Sequence, residues 1–417
     1  MKIAVVGGGI SGMASALILG QQHEVHLFES DSRMGGHAHT VTLSDEDGSP
    51  VMDTGFLVYN NITYPHFIGL LNYLDVETVD SDMSLSIQSA KDLEWAGTNL
   101  KTVFAQKRNL LNFRFLNMLK DIIKFHNDTL ENLELSKQNK WTLSDLITFR
   151  KMSTAFQSWY LLPMTGAIWS MSYAKALQFP AETFLNFCIN HHLLQVNDRP
   201  IWRTINKGSI QYVSKLTHKL QNIHLNSPIQ SIRQQGEKLV LSSNGNEFEF
   251  DRVVLATHAP ISKKILEPHF SNLADKLSSL KTTSNRVVLH SDMSVMPQKK
   301  ICWSSWNVKA QENPDNQSDI QLTYYLNKLQ PLGSKKDYFI TLNNEQTLKG
   351  IKREFIYDHP QFDQNAISFQ ETLPSIQGQN GIYFAGAWTR YGFHEDGILS
   401  AVKVSKLLGV NPPWENR

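Results

Sequence analysis

The sequence predicts an α/β protein with two domains, of which the first is assembled from three separate stretches of chain. A glycine-rich strand–turn–helix–strand pattern opens the chain, and two further buried-strand patterns return near residues 252–260 and 381–388. A helix-rich stretch and a series of strand patterns typical of an antiparallel sheet lie between them. We predict a discontinuous Rossmann-type nucleotide-binding domain and a second, α+β substrate domain, with residues 1–60, 201–260 and 371–417 in the first and residues 61–200 and 261–370 in the second.

The composition narrows the class of protein. Of the 417 residues, 41% are hydrophobic and 19% are charged, which is ordinary for a soluble globular chain. A formal net charge of +1 gives no indication of a nucleic-acid partner. Cys188 and Cys302 match no metal or disulfide spacing, and the adjacent His191 and His192 would point about 100° apart on a helix, so no metal site is predicted. The first strand begins at residue 2 and no apolar run reaches 18 residues, so we expect a cytoplasmic protein without a signal peptide.

The first element is a buried strand that runs directly into a glycine-rich turn. Residues 2–6 are Lys-Ile-Ala-Val-Val, and residues 7–12 then read G-x-G-x-x-G before a helical segment and a second apolar strand. In this pattern the first glycine permits the tight turn, the second lets a pyrophosphate approach the backbone, and the third lets the helix pack close to the strand. An acidic residue that ends the second strand accepts hydrogen bonds from an unphosphorylated ribose, which favours FAD or NAD over NADP. The candidate cofactor-binding residues here are Gly7, Gly9, Ser11, Gly12 and Glu29.

The next segment distinguishes FAD from NAD. Residues 29–36 read E-x(3)-R-x-G-G, which resembles the extended fingerprint of the FAD-binding amine-oxidase superfamily. The resemblance implies that Arg33 and the backbone of Gly35 and Gly36 contact the flavin side of the pyrophosphate. It also implies that the strand end carrying Gly55 passes near the isoalloxazine. The alternative is an ordinary glycine turn with a surface arginine.

A helical pattern dominates the region after residue 64. It is clearest from Asn109 to His126, where a wide apolar face alternates with charges that are nearly all basic. One interpretation is a helix that lies on a membrane surface and draws a lipid substrate from the bilayer. The other is a helix packed into the core with a solvated basic edge, which is the commoner use of a wide apolar face.

The nucleotide domain resumes with a helix near residues 211–220 and a strand near 252–255. By the same resemblance, Ile229 contacts the adenine, and Lys207-Gly208 stands where two glycines are more usual. Strands of an antiparallel sheet covering the flavin are predicted at residues 286–290, 301–307, 322–327 and 338–342.

The predicted sheet lacks one residue that amine oxidases carry. Amine oxidases place a lysine near its first strand, where this sequence has Asn285 and Arg286, so amine oxidation with oxygen is disfavoured. The aromatic residues Trp303, Trp306, Tyr324 and Tyr325 either line a pocket or belong to the core.

The last strand and the loop after it complete the predicted cofactor site. Gly386 allows close approach to the ribityl phosphate, and the amides of Asp396, Gly397 and Ile398 at a helix N-terminus can bond the flavin pyrimidine. The resemblance to amine oxidases implies that Phe393 stacks near the flavin ring. His394 and Glu395 are titratable and lie beside this loop, so they are candidates for proton transfer, with a purely capping role as the alternative.

The whole chain resembles a bacterial NAD/FAD-binding oxidoreductase branch of that superfamily, most specifically in the Tyr-Gly-Phe-His-Glu-Asp-Gly element at residues 391–397. This branch is related to the flavin domain of plant cyclopropane fatty-acid synthases. The resemblance implies chemistry on phospholipid acyl chains and a lipid methyltransferase as partner. A flavin does not readily desaturate an unactivated alkane, so we expect an unsaturated or methyl-branched acyl chain as substrate. Neither cysteine lies in a loop that resembles a covalent flavin attachment, so we expect non-covalent FAD, and the basic helix allows peripheral contact with a membrane. Two other hypotheses stay open: an amine oxidase, and a non-catalytic FAD-binding partner of the methyltransferase.

Overall fold

The computed structural model describes residues 1–44, 48–89, 93–194, 200–310, 320–344 and 346–415. Its first domain is built on a five-stranded parallel sheet, as the sequence predicts. All five strands come from within the three predicted segments. In spatial order they are Asn222–His224, Glu24–Phe28, Lys2–Val6, Arg252–Leu255 and Ile382–Phe384.

Both faces of this sheet are covered, which is why the strands Lys2–Val6 and Arg252–Leu255 carry continuous buried apolar runs. Ile3 and Val5 face one core cluster, and Ala4 and Val6 face another. The helices that contribute to the first cluster are Ile10–Leu19, Pro65–Tyr73, Ile210–Thr217 and His394–Leu407. Those that contribute to the second are Ala259–Leu266, Ser271–Lys276 and Gln364–Ile376, together with the antiparallel sheet of Ile229–Gln235, Lys238–Ser243 and Asn246–Phe250.

A seven-stranded sheet forms the centre of the second domain. Of the six strand pairings between the described residues of this sheet, five are antiparallel, and Leu85–Ser89 runs parallel to Trp306–Ala310. In spatial order the strands are Arg353–Pro360, Thr282–His290, Phe339–Leu342, Gln321–Tyr325, Trp306–Ala310, Leu85–Ser89 and Leu93–Ala96. The four strands that the sequence predicts do pair antiparallel with one another, but the strand predicted at residues 301–307 begins only at Trp306, after the turn Lys300–Cys302. Leu85–Ser89 and Leu93–Ala96 were not predicted, because they lie in the region that the sequence pattern marked as helical.

The helical layer of the second domain packs on this sheet. Its helices are Leu100–Val103, Phe113–Asn127, Thr129–Asn139, Leu143–Phe149, Thr154–Phe156, Leu162–Trp169, Tyr173–Leu177 and Ala181–Asn190, with a π-helical turn at Gln157–Leu161; Leu326–Leu329 adds one turn elsewhere. Short 3₁₀ turns occur at Lys107–Leu111, Leu277–Ser279, Met293–Val295, Lys300–Cys302, Gln379–Gly381 and Ala387–Thr389. In the described part of the chain, none of these helices has both the length and the apolar character needed to cross a bilayer.

The long basic helix begins later than predicted, at Phe113, because the side chain of Asn112 accepts hydrogen bonds from the amides of Arg114 and Phe115 and so caps it. Phe115, Met118 and Phe125 are fully buried on one face. One face of this helix is therefore packed into the core, as the second interpretation predicts, and its basic edge is exposed. Contact of that edge with a membrane stays a prediction.

Two small sheets join the domains: Tyr59–Asn60, Trp202–Ile205 and Thr78–Asp80 form one, and Thr40–Thr42 with Val51–Asp53 forms the other. Helix Pro65–Tyr73 packs into the nucleotide-domain core, although the predicted boundary at residue 60 placed it in the substrate domain. The remaining domain boundaries stay predictions.

Candidate active site

A single cavity of about 520 Å³ joins the two domains. At one end it is lined by the glycine-rich turn and by Glu29. At the other end it is lined by aromatic side chains that include Trp169, Phe187, Trp306 and Tyr324. A molecule with a nucleotide at one end and a reactive ring near the middle matches this arrangement.

The three motif glycines differ in what surrounds them. Gly7 has a φ of +109°, and a Cβ there would lie 2.8 Å from the carbonyl oxygen of Ala256. A Cβ on Gly12 would lie 1.8 Å from the carbonyl oxygen of Gly7, so the first helix packs directly on the turn. A Cβ on Gly9 would meet nothing within 4 Å, and Gly9 lines the cavity. The open space over Gly9, at the N-terminus of a helix, fits a pyrophosphate.

Glu29 is held rigidly at the ribose end of the cavity. One carboxylate oxygen accepts a hydrogen bond from the amide of Gly8 at 2.6 Å, and the other accepts from the amide of Asp31 at 2.8 Å. The remaining lone pairs are available to ribose hydroxyls. Ser11 lines the same part of the cavity and is buried.

The second glycine element also reaches the cavity, but its arginine does not. Gly35, Gly36 and Gly55 are lining residues. Arg33 instead donates to the carbonyl oxygen of Gly36 at 2.9 Å and lies 3.4 Å from the carboxylate of Asp31. Arg33 thus stabilises the loop between Asp31 and Gly36, and its direct contact with the pyrophosphate stays a prediction.

The loop after the last strand closes the cavity. Gly386, Phe393 and His394 all line it. The Phe393 ring stacks on Phe187, with centroids 4.5 Å apart, and the His394 ring stacks on Phe56, with centroids 3.8 Å apart. His394 Nε2 lies 2.8 Å from the hydroxyl of Tyr212. His394 is therefore fixed at the cavity wall, where it can contact a cofactor.

Glu395 lies outside the cavity and is hydrogen-bonded to a neighbouring helix. It is not among the lining residues, and its two carboxylate oxygens accept hydrogen bonds from the amides of His66 and Phe67, both at 2.9 Å. These are two of the free amides at the start of helix Pro65–Tyr73, which has no side-chain cap of its own. Glu395 therefore caps this helix and not the last one, and its part in proton transfer stays a prediction.

Four other candidates lie behind the cavity wall. The carboxylate of Asp396 accepts from the amides of Tyr391 and Phe393, and so fixes the closing loop. The Gly397 amide donates to the carbonyl oxygen of Phe393. Asp396 and Gly397 do not line the cavity. Ile398 and Ile229 do not line it either, and both are buried in core clusters. Their contacts with the cofactor stay predictions.

A cluster of histidines is the feature that the sequence did not reveal. His37, His258 and His359 all line the cavity, and the rings of His258 and His359 each lie 5.6 Å from that of His37. His37 Nε2 is buried without a hydrogen-bond partner. An unpaired nitrogen of this kind is a contact point for a bound molecule. The three residues are far apart in sequence, so only the position of His37 directly after Gly36 offered a signal.

One histidine of this cluster has a defined tautomer. Asn285 Nδ2 lies 3.2 Å from His359 Nδ1, and Asn285 Oδ1 accepts from Asn343. An amide nitrogen only donates, so His359 Nδ1 is the acceptor and Nε2 carries the proton. Asn285, which stands near the lysine position of amine oxidases, thus fixes the tautomer of His359.

Burial keeps the histidines of the cavity neutral. It lowers the pKa of His394 to about 3 and the pKa values of His191 and His359 to about 4, and it also lowers the pKa of His37 and of His258. At neutral pH these rings therefore bring no positive charge into the cavity.

Comparison with known proteins identifies the family. The sequence model of flavin-containing amine oxidoreductases matches residues 10–302. The chain belongs to the flavin-containing amine oxidoreductase family. FAD is thus its cofactor, and the glycine turn, the open space at Gly9 and the acceptor at Glu29 fit that molecule. Of the described residues, no group of three metal-binding side chains is arranged to hold an ion.

Solved structures of other enzymes share the fold across 98% of this chain. A CLA-producing fatty acid isomerase from P. acnes superposes with a TM-score of 0.69 at 13% identity, covering 98% of this chain and 97% of that one. Putrescine oxidase bound to putrescine gives a TM-score of 0.71 at 14% identity, covering 98% and 99%. Protoporphyrinogen oxidase of Saccharomyces cerevisiae is 41% identical over 54 residues, which are 12% of this chain and only 10% of the yeast protein.

Proposed function

We propose that this flavin-containing amine oxidoreductase dehydrogenates, desaturates or isomerises an unsaturated or methyl-branched lipid acyl chain. The observation that carries the proposal is the uncharged, aromatic wall of the inner cavity. Among the described residues that line the cavity, Glu29 is the sole carboxylate, and it lies at the ribose end. An apolar chain gains free energy by leaving water for such a wall, whereas a cationic amine would lose its hydration without a counter-charge.

The residues where a lysine is expected in amine oxidases support the same conclusion. Arg286 pairs with Glu354 at 2.9 Å, and neither residue lines the cavity. Asn285 is buried and bonds His359. No lysine occurs among the described lining residues. Apart from Glu29 at the ribose end, the titratable groups that line the cavity are therefore neutral, and His359 Nε2–H is the best-defined donor among them.

FAD, when bound, supplies a two-electron acceptor for a C–H bond weakened by a neighbouring double bond or carbonyl group. The chain's contribution is to exclude water, align the acyl chain along the aromatic wall and keep proton-transferring groups uncharged until they act. A resemblance to the fatty acid isomerase in fold alone is consistent with this proposal and does not extend to its reaction.

Anaerobic mixing of the purified holoprotein with a substrate panel tests the proposal. We expect unsaturated or methyl-branched fatty acids and phospholipids to bleach the flavin absorbance or to return with a moved double bond, as detected by gas chromatography of the acyl chains. Putrescine, spermidine and hexylamine should do neither. Bleaching by the amines alone would establish amine oxidation instead. No change with any compound would favour the third hypothesis, a non-catalytic partner of a lipid methyltransferase.

The rate of flavin reduction should depend weakly on pH from about 6 to 9 and fall as the pH approaches 4. Protonation of His359 and His191, whose pKa values are about 4, puts charge into the apolar cavity only at that acidic end. Stopped-flow pH jumps keep the exposure to acid short. An amine substrate would behave differently, because its free-base fraction rises up to about pH 10. A rate that climbs steadily from pH 7 to 10 would contradict the acyl-chain proposal.

A further inference from the structure

The most exposed large apolar side chains of the described residues occur close together in sequence. Phe113 is 88% exposed, Leu111 is 86% exposed, and Leu110 beside them is 52% exposed. They lie on the 3₁₀ turn Lys107–Leu111 and on the first residue of helix Phe113–Asn127. Side chains of this size on a water-facing turn cost solvation free energy unless a partner covers them.

The exposed Lys, Arg, Asp and Glu residues around this turn are all basic. Between residues 93 and 127 the sequence holds six basic residues and only two acidic ones, Glu94 and Asp121. Both acids are buried, and they accept hydrogen bonds from backbone amides, which leaves them unavailable to neutralise the surface. The six basic residues are exposed: Lys101, Lys107, Arg108, Arg114, Lys120 and Lys124.

The helix continues the same surface. At 100° per residue, Lys120 and Lys124 fall within about 20° of Phe113, on the side opposite the buried Met118 and Phe125. We call Leu110, Leu111, Phe113, Lys120 and Lys124 the basic apolar surface. It combines apolar side chains that project from a turn with basic side chains on the same face.

We propose that the basic apolar surface docks on an anionic phospholipid bilayer, with Leu111 and Phe113 inserted among the acyl chains and the lysines at the headgroups. Charge complementarity selects the bilayer over an apolar protein partner, since an anionic headgroup layer pairs with Lys120 and Lys124 together. The surface also lies over the core that contains the cavity residues Trp169 and Phe187. Resting on the proposed function, this docking makes membrane phospholipid the source of the acyl substrate.

Co-sedimentation of the FAD-loaded full chain with vesicles tests this surface without any turnover. We expect binding to vesicles containing phosphatidylglycerol, little binding to pure phosphatidylcholine, and weakening by 0.5 M salt. The double variant L111S/F113S should weaken binding by at least about tenfold, because two inserted side chains are lost. The charge reversal K120E/K124E should weaken it by at least about tenfold, at about fivefold per basic residue near an anionic surface.

Two control variants have matched chemistry elsewhere on the surface. I356S removes an apolar side chain that is 64% exposed on another strand, and K264E/K276E reverses two exposed lysines on other helices. Both should bind vesicles like the wild type. Equal loss in the controls, or no binding by the wild type, would overturn the proposal. So would gel filtration showing that L111S/F113S dissociates a dimer while vesicle binding is unchanged, since a second copy would then be the occupant.

The acyl-chain function and the membrane docking can be refuted independently of each other. L111S/F113S should oxidise or isomerise a detergent-dispersed fatty acid at the wild-type rate and lose activity only on vesicles. Vesicle binding with no lipid turnover would leave the surface intact and refute the acyl-chain function.

Discussion

Replacing Gly9 by valine is expected to lower the affinity for FAD by about 100-fold or more while the protein stays folded. A Cβ at Gly9 meets no protein atom within 4 Å, so the added side chain fills only the open space where a pyrophosphate approaches the helix N-terminus. Its φ is −73°, which a valine can adopt. Isothermal titration of the apoprotein with FAD measures the loss, and thermal unfolding of the apoprotein should be nearly unchanged.

Two further glycine variants isolate this effect. Gly97→Val also adds a Cβ that meets no atom within 4 Å, but Gly97 is exposed and does not line the cavity, so FAD affinity should not change. Gly12→Val forces its Cβ against the carbonyl oxygen of Gly7, 1.8 Å away, and should abolish both folding and FAD binding. Normal FAD affinity in Gly9→Val would refute the placement of the pyrophosphate.

Replacing Glu395 by alanine should lower the free energy of unfolding by about 2–4 kcal/mol and change the rate of flavin reduction by less than about threefold. The variant leaves the amides of His66 and Phe67 without an acceptor at a site where Glu395 itself is only 5% exposed. Urea denaturation of the holoprotein measures the stability, and stopped-flow absorbance measures the rate. A rate loss of 100-fold with unchanged stability would instead restore Glu395 as a proton-transferring group.

The Glu395→Gln variant adds a pH signature to the same contact. Burial raises the pKa of Glu395 to about 7 from its ordinary 4.5. Between pH 4.5 and 7 the Glu395 carboxyl keeps its proton in the folded state and releases it in the unfolded state. The stabilisation that comes from this bound proton is therefore complete below pH 4.5 and is lost as the pH rises through 7. Glutamine does not titrate. The stability of the wild type relative to Glu395→Gln should thus fall by about 3 kcal/mol from pH 4.5 to 7.5.

What the sequence could predict is local in the chain. The glycine turn, the strand before it and the acid after it interact within 30 residues, so their spacing alone encodes the geometry found for Gly7, Gly12 and Glu29. The departure at Lys207 also has a local explanation, because Lys207 has a φ of +62° and Gly208 a φ of +85°. Two glycines adopt such angles without strain, and a lysine adopts the first at some cost.

What the sequence could not predict depends on contacts between distant residues. Glu395 looked catalytic because it is titratable and adjacent to the flavin loop, yet its partners lie more than 300 residues earlier. The cavity histidines come from separate strands and loops, and no periodicity links them. The exposed turn at Leu111 was hidden inside an amphipathic pattern, because a pattern shows which residues share a face but not where the helix begins.

The order of strands in the parallel sheet determines when the nucleotide domain can fold during translation. Ile3 pairs with Arg252, so the central strand Lys2–Val6 cannot pair with Arg252–Leu255 until the ribosome has added some 250 residues. At bacterial and eukaryotic elongation rates of roughly 5–20 residues per second, that delay is about 12–50 s. During this interval the nascent nucleotide domain exposes an unpaired apolar edge, which is the kind of surface that chaperones recognise. Flavin loading should accordingly be a late, post-translational event that completes folding.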